Sequence, residues 1–267
     1  MLKIKSYVRP QTLEEAYQLC QKKGNVVLGG MLWLKMQNRS INTAIDLQDL
    51  GLDQIEETDE EYRIGAMVTL RDLEQHGGFN ALTHGAMAES VKHIVGVQFR
   101  NVATVGGSIY GRFGFSDVLT LFMAIGAKVE LYHGGIMTVE NFAKMPYSEK
   151  DLLVRVIVPK RAMNVVYLSQ RNVSTDFPVL TCAVSRRDGE VLCAIGARPA
   201  RAVCLKGLCT DAPEETARAV AEQLCFGSNV RAGAEYRKRI CQVLVRRALE
   251  TLNEIVSNDV WKNESNK

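Results

Sequence analysis

The chain has no CxxC pair, no HExxH, no GxSxG and no GxxxxGK[ST] anywhere in its 267 residues. Those absences remove the common zinc, metalloprotease, serine-hydrolase and P-loop chemistries. Its histidines (His76, His84, His93, His133) include no i, i+4 pair with a nearby acid, so no metal site is expected. The cysteines are odd in number, 7, with no framework spacing, and read as reduced, small buried hydrophobes rather than a disulfide scaffold. Cys204 and Cys209 repeat the first spacing of a plant-type iron–sulfur motif but lack its C-x2-C continuation. Charge of one sign is also lacking: the net charge is +3 and the basic residues are scattered, which argues against nucleic acid. The longest apolar run, Val118 to Ala127, is about half of what a bilayer span requires. The opening MLKIKSYVRP carries no apolar core of a signal peptide. A cytoplasmic protein that contacts neither membrane nor nucleic acid is therefore expected.

What is present is a mixed pattern of short elements. Thr12 and Glu15 stand at capping-box spacing, and Leu13, Ala16, Tyr17, Leu19 and Cys20 make the stripe of a helix that Gly24 stops. Strands are expected at 26–28, 44–47 and 62–66, a helix opening at Thr69-x-x-Asp72, and another helix over 80–93. Val102, Thr104 and Val105 read as the end of a strand. Ser116 caps a helix through Ile125 that Gly126 ends, and strands follow at 128–132 and 152–158. Beyond residue 160 the pattern changes. Residues 165–169, 179–184 and 191–195 predict a three-stranded antiparallel sheet, with Asp188-Gly189 as a hairpin turn. A helix capped at Asp211 with Pro213 in its first turn comes next. A long helix ends the pattern, with Tyr236, Ile240, Val243, Leu244, Ala248 and Leu252 on one side. Arg237, Lys238, Arg239, Arg246 and Arg247 read as its solvated face, and the polar stretch from Ser257 as a frayed tail.

Two loops stand out. Arg100 to Asp117 reads RNVATVGGSIYGRFGFSD, and residues 27–34 read VLGGMLWL. Each runs from a β-branched or apolar stretch through paired glycines into a helix-like turn. Without a Cβ, Gly106 and Gly107 let the backbone take positive φ and let a ligand lie against it. Successive exposed N–H groups make a concavity suited to anions. Thr104 and Ser108 add hydroxyls, and Asp117 suits a ribose diol. Two such loops converging on one ligand fit a dinucleotide pyrophosphate, although neither reads G-x-G-x-x-G.

The paired GG loops, RNVATVGGS with an Asp thirteen residues after its Thr, and the later phrases DFPVL, GARPARA and RAGAEYRKRICQVLVRRALE resemble the FAD-binding subunit of the molybdenum hydroxylases. That family includes the flavoprotein subunits of xanthine dehydrogenase-like and carbon monoxide dehydrogenase-like enzymes, and the resemblance spans about residues 1–255. It implies an α+β fold: a two-subdomain FAD-binding domain over 1–160 (about 1–55 and 56–160), a C-terminal domain of a three-stranded sheet and helices over 161–257, and a tail over 258–267. By position, Leu28, Gly29, Gly30, Met31, Leu32 and Trp33 would contact the pyrophosphate. Thr104, Gly106, Gly107 and Ser108 would hold it from the other side, Asp117 would bind the ribose, and Lys206 would lie near the flavin. Members usually carry a small polar pair after the first GG, where this chain has Met31 and Leu32, and Asn after the second, where it has Ser108.

The function so implied is electron transfer. FAD would take electrons from the 2Fe–2S clusters of a partner subunit, fed by a molybdopterin-containing large subunit, and pass them to NAD(P) or another acceptor. No catalytic acid or base is nominated, because the cofactor carries the chemistry. Trp33, Tyr110, Phe113, Phe115 and Phe177 are aromatic candidates for the flavin face, each with packing as its alternative role. Two other readings are a stand-alone flavin reductase on the same fold, and a scaffold subunit whose FAD site has degenerated at Met31, Leu32 and Ser108.

Overall fold

The computed structural model describes residues 1–187 and 189–265, with side chains left undescribed from residue 258 onward. The first half of the chain runs β1 (Lys3–Val8), α1 (Leu13–Gln21), β2 (Val26–Leu28), β3 (Ser40–Asp46), β4 (Ile55–Glu57), β5 (Glu61–Gly65), α2 (Leu70–Gln75), α3 (Gly77–Leu82), α4 (Ala86–Val91), α5 (Val97–Arg100), α6 (Val105–Tyr110) and α7 (Asp117–Ala124). The second half runs β6 (Lys128–Leu131), β7 (Gly135–Thr138), α8 (Val139–Lys144), β8 (Leu153–Pro159), β9 (Met163–Gln170), β10 (Leu180–Arg187), β11 (Glu190–Gly196), β12 (Val203–Lys206), α9 (Pro213–Gln223) and α10 (Ala234–Ser265). These elements form two compact units. The first takes residues 1–73, 96–111 and 127–160; the second takes 74–95, 112–126 and the chain from 161.

The first unit holds two sheets. A three-stranded parallel sheet has the order β1-β3-β2, and a five-stranded antiparallel sheet has the order β4-β5-β8-β6-β7. Helix α1 begins where its sequence says it should: Thr12 accepts from the Glu15 N–H, and Glu15 reaches back to the N–H of Gln11. Its Ala16 and Cys20 pack on Ile45, Leu47 and Leu52 and on Leu152 and Val154 at the start of β8, which ties the parallel sheet to the larger one. The register Leu28↔Asp46 ends the β2–β3 pairing and delivers the chain into the first glycine loop.

The second unit is a four-stranded antiparallel sheet of order β12-β11-β10-β9. Cys182, Val184, Cys193 and Ile195 on one face pack against Ala217, Val220 and Ala221 of α9 and Cys241, Leu244, Val245 and Ala248 of α10. Helix α7 packs on β10 and β11 and is buried along its whole length. Thr120 bonds Thr181 across that contact at 2.9 Å, and the Ser185 hydroxyl donates to the Ala124 carbonyl. Ser116 caps α7 by accepting from the Leu119 N–H, and Gly126 leaves it at φ 66°.

Several expectations change. The helix over 80–93 is two helices, because His84 and Gly85 both turn left-handed, at φ 49° and 82°. Thr83 and Asn80 then cap α4 by accepting from Met87 and Ala88 N–H groups. Residues 102–105 do not end a strand. Backbone bonds tie Ala103, Val105 and Gly106 to residues 66–70, but only the bridge Thr104↔Thr69 is strand-like before α6 starts. The C-terminal sheet has a fourth strand, β12, which at four residues is too short for alternation to mark it. In the β10–β11 hairpin Gly189 has φ 79°, while Asp188 lies outside the described residues. The cap of α9 is Ala212, with Pro213 as first helical residue, not Asp211. Helix α10 runs through Ser265 instead of fraying from Ser257. Its buried face is Arg237, Cys241, Leu244, Val245, Ala248, Leu249 and Leu252, whereas Tyr236 is exposed.

Among the described residues no helix is long and apolar enough to cross a membrane, and no group of three or more His, Cys, Asp or Glu could hold a metal ion.

Candidate functional site

The two glycine loops meet within the first unit. Beyond Leu28 the chain passes over residues 102–104, and the approach is closer than any side chain permits. A Cβ on Gly30 would stand 2.0 Å from the Val102 carbonyl oxygen, and one on Gly29 would stand 2.7 Å from Thr104 Oγ1 and 3.7 Å from Gly107 Cα. Gly106 is held equally tightly, 2.6 Å from the Ala66 oxygen by the same measure. None of these glycines has a positive φ. They serve close packing of backbone on backbone, not a left-handed turn.

The left-handed residue is Met31, at φ 57°. It starts a turn closed by the Lys35 N–H on its carbonyl at 2.9 Å, which leads into a 3-10 turn at Leu34–Met36. Among the described residues, the N–H groups of Gly30, Met31 and Leu32 have no acceptor within the chain. Three successive donors about a left-handed residue form the backbone concavity that favours anions. Trp33 is held by packing on Phe99, ring centroids 5.6 Å apart.

The second loop contributes differently. Its N–H groups are taken up internally: Gly106 donates to Ala66, Gly107 to Thr104 Oγ1, and Ser108 to the Thr104 carbonyl. The Ser108 hydroxyl also donates to that carbonyl at 2.9 Å. Thr104 caps α6 as an acceptor, which leaves its own hydroxyl proton to give. The donors gathered here are thus three amides from one loop and a hydroxyl from the other. Neither segment (26–34 or 102–110) contains a charged side chain. This set fits a pyrophosphate held by dipoles without a metal.

Asp117 and Lys206 belong to the second unit. Lys206 ends β12 opposite Leu192, exposed. Asp117 is buried, and its Oδ1 accepts both the Tyr167 hydroxyl at 2.5 Å and the Arg171 guanidinium. Burial pushes the Asp117 carboxyl above its ordinary range, while the Arg171 charge and the Tyr167 bond pull the other way. Burial and the adjacent carboxylate raise the Tyr167 phenol well above 10.0.

Arg171 also donates to the Asp176 carbonyl oxygen at 2.5 Å, and Asp176 pairs with Arg231 through two bonds of 2.9 and 3.2 Å. Arg231 lies over the Phe177 ring, 4.8 Å from its centroid, and Phe177 packs on Phe115 at 4.3 Å. Phe115 in turn stacks on Phe113, and in the first unit Tyr110 packs on Phe142. Arg237, expected on a solvated face, is fully buried and donates to the carbonyls of Val179, Gly227 and Ala232 and to Asn229 Oδ1. Tyr167, Arg171 and Arg237 were not singled out as partners by sequence. One signal was readable: a lone carboxylate heading an otherwise apolar helix must find a buried cation.

A family model for the FAD binding domain in molybdopterin dehydrogenase matches residues 2–161. The uncharacterized protein YgfM of Escherichia coli (strain K12) is 26% identical over 250 residues, covering 91% of this chain and 94% of that one. The nicotine 6-hydroxylase medium subunit of Paenarthrobacter nicotinovorans is 26% identical over 270 residues, covering 91% and 95%. Among solved structures, carbon monoxide dehydrogenase from Oligotropha carboxidovorans superposes with a TM-score of 0.82 at 24% identity, over 93% of this chain and 96% of that chain; at that identity it speaks for the fold.

Proposed function

Because the chain belongs to the family of FAD-binding domains of molybdopterin dehydrogenases, we propose that it is the flavoprotein subunit of a heteromeric molybdenum hydroxylase, relaying electrons from a partner's 2Fe–2S clusters to NAD(P) or another acceptor. The observation that carries this reading is the seam at Gly29 and Gly30, where two loops close to backbone contact beside three unbonded amides. Bound FAD supplies the conversion between single electrons and a hydride pair. The chain's own residues bind and orient. The amides of Gly30, Met31 and Leu32 and the Thr104 hydroxyl would meet the pyrophosphate, while Gly29, Gly30 and Gly106 let the two loops close to backbone contact. Neutral donors make phosphate binding weakly salt-dependent, since no surface ion pair is there to be screened.

In this reading the clusters and the molybdenum centre sit outside these residues, which carry no cluster motif. What supports the subunit reading is that the nicotine 6-hydroxylase relative, matched over 95% of its length, is named as a medium subunit. The test is native purification from its own cells with cofactor analysis. The expected result is stoichiometric FAD in this chain, with iron and molybdenum in co-purifying chains and reduction of a pyridine nucleotide or other acceptor by the complex. A chain that is flavin-loaded and fully active alone, with no iron-containing partner, would overturn the subunit assignment.

A further inference from the structure

Met31 sits in a conformation that its side chain opposes. At φ 57° a residue with a Cβ is disfavoured, and glycine or asparagine is the ordinary occupant. The compensation lies at the other end of the residue. The Met31 side chain packs with Leu2, Val26 and Leu34 against the cluster of Leu28, Ile41 and Ala44, which belongs to β2 and β3. Its carbonyl is fixed by the Lys35 N–H at 2.9 Å. The residue is therefore fastened on both sides, by apolar contact to the parallel sheet and by the turn it closes. The three unbonded amides of Gly30, Met31 and Leu32 ride on that fastened segment.

We infer that Met31 is a positioning residue for the pyrophosphate: an apolar anchor that holds the left-handed turn against the sheet and so pre-forms the three-amide cradle. This rests on the FAD reading above. It gives the apolar residue after the first GG a role opposite to that of a lost hydrogen bond, because a pre-formed loop does not have to be ordered at the moment of binding. Methionine suits the task, being unbranched and able to fill an irregular gap.

Backbone preference and anchoring predict opposite signs. If only φ mattered, Met31→Gly and Met31→Asn would bind FAD as well as the parent or better, since both residues enter the left-handed region readily. If the anchor matters, both weaken it, while Met31→Leu, which keeps the apolar volume, does not. The test uses the full chain stripped of flavin and titrated with FAD and with riboflavin, which lacks both phosphates. The expected result is that Met31→Leu stays within about twofold of the parent for FAD, while Met31→Gly and Met31→Asn weaken it about tenfold and leave riboflavin binding unchanged. Met31→Ala, which removes the anchor without favouring the left-handed region, serves if the others do not fold. FAD affinity unchanged in the anchor-less variants, or FAD and riboflavin weakened in equal proportion, overturns the inference and leaves the flavoprotein reading standing. A parent chain that takes up no FAD overturns that reading before any variant is compared.

Discussion

At single residues, the sharpest electrostatic question is how a carboxylate survives at the buried head of α7. Asp117 has Arg171 and Tyr167 on one oxygen, and both side chains of the ion pair are under a tenth exposed. Removing the cation leaves a buried charge unpaired, which costs about 3–5 kcal/mol, so Arg171→Met should destabilise strongly at neutral pH. The sign with pH follows from the folded carboxyl lying above its unfolded value. The group's contribution is fully present below the unfolded value and is lost as pH rises through the folded one. Arg171→Met raises the folded value further, so the deficit should shrink as pH is lowered through the carboxylate range, and Asp117→Asn in the same chain should flatten that dependence. Urea midpoints across pH measure this; a deficit that ignores pH would show that Arg171 acts only through its bond to Asp176. The glycines offer a second contrast. A Cβ on Gly30 meets a backbone carbonyl at 2.0 Å, whereas one on Gly107 meets only Thr104 Oγ1 at 3.1 Å. Gly30→Ala should therefore lower flavin content about tenfold or more by prising the loops apart, and Gly107→Ala should reduce it less, as read from flavin absorbance per protein. That the candidate site draws on two loops was legible in the sequence, because paired glycines, one pair set between Thr104 and Ser108, are local signals. The reason for those glycines was not: close approach of two loops some seventy positions apart is set by the tertiary fold, and so is the left-handed Met31.

At the scale of elements, legibility tracked locality. The ranges of α1, β2, α7 and β8 follow from caps, glycine stops and apolar runs inside a short window. The break between α3 and α4 depends on Thr83 and Asn80 capping across it, which overrides a continuous apolar period. Edge strand β12 is defined by its pairing with β11 and carries little pattern of its own. Helix α10 shows the limit most clearly. Its stripe keeps the expected Leu244, Ala248 and Leu252 but begins at a buried arginine instead of Tyr236, because the carbonyls of Gly227, Ala232 and Val179 give Arg237 partners that no helical wheel reveals. The corrected face makes a direct prediction. Leu249 is fully buried, so Leu249→Ala should cost about 2–5 kcal/mol. Arg247 is exposed on the same helix, so Arg247→Ala should stay within about 0.5 kcal/mol. Equal effects in chemical denaturation would mean the stripe is misplaced.

For the whole molecule, the pyrophosphate cradle argued above lies wholly in the first unit. A ligand that binds only the folded state stabilises it by mass action, about 2.7 kcal/mol at a hundred times its dissociation constant. For a chain of this size each kcal/mol raises the melting temperature by roughly 2–4 °C, so saturating FAD should raise it by roughly 5–10 °C. The same FAD added to Gly30→Ala should produce little shift, and riboflavin, which lacks the phosphates, should produce less than FAD in the parent. If the two units melt as separate transitions, the gain from the cradle must appear in the transition of the unit that holds Gly30. A scan in which the parent and Gly30→Ala respond identically to FAD would place the cofactor's main contacts outside the glycine seam, and the cradle would then be a packing device between two loops with no ligand of its own.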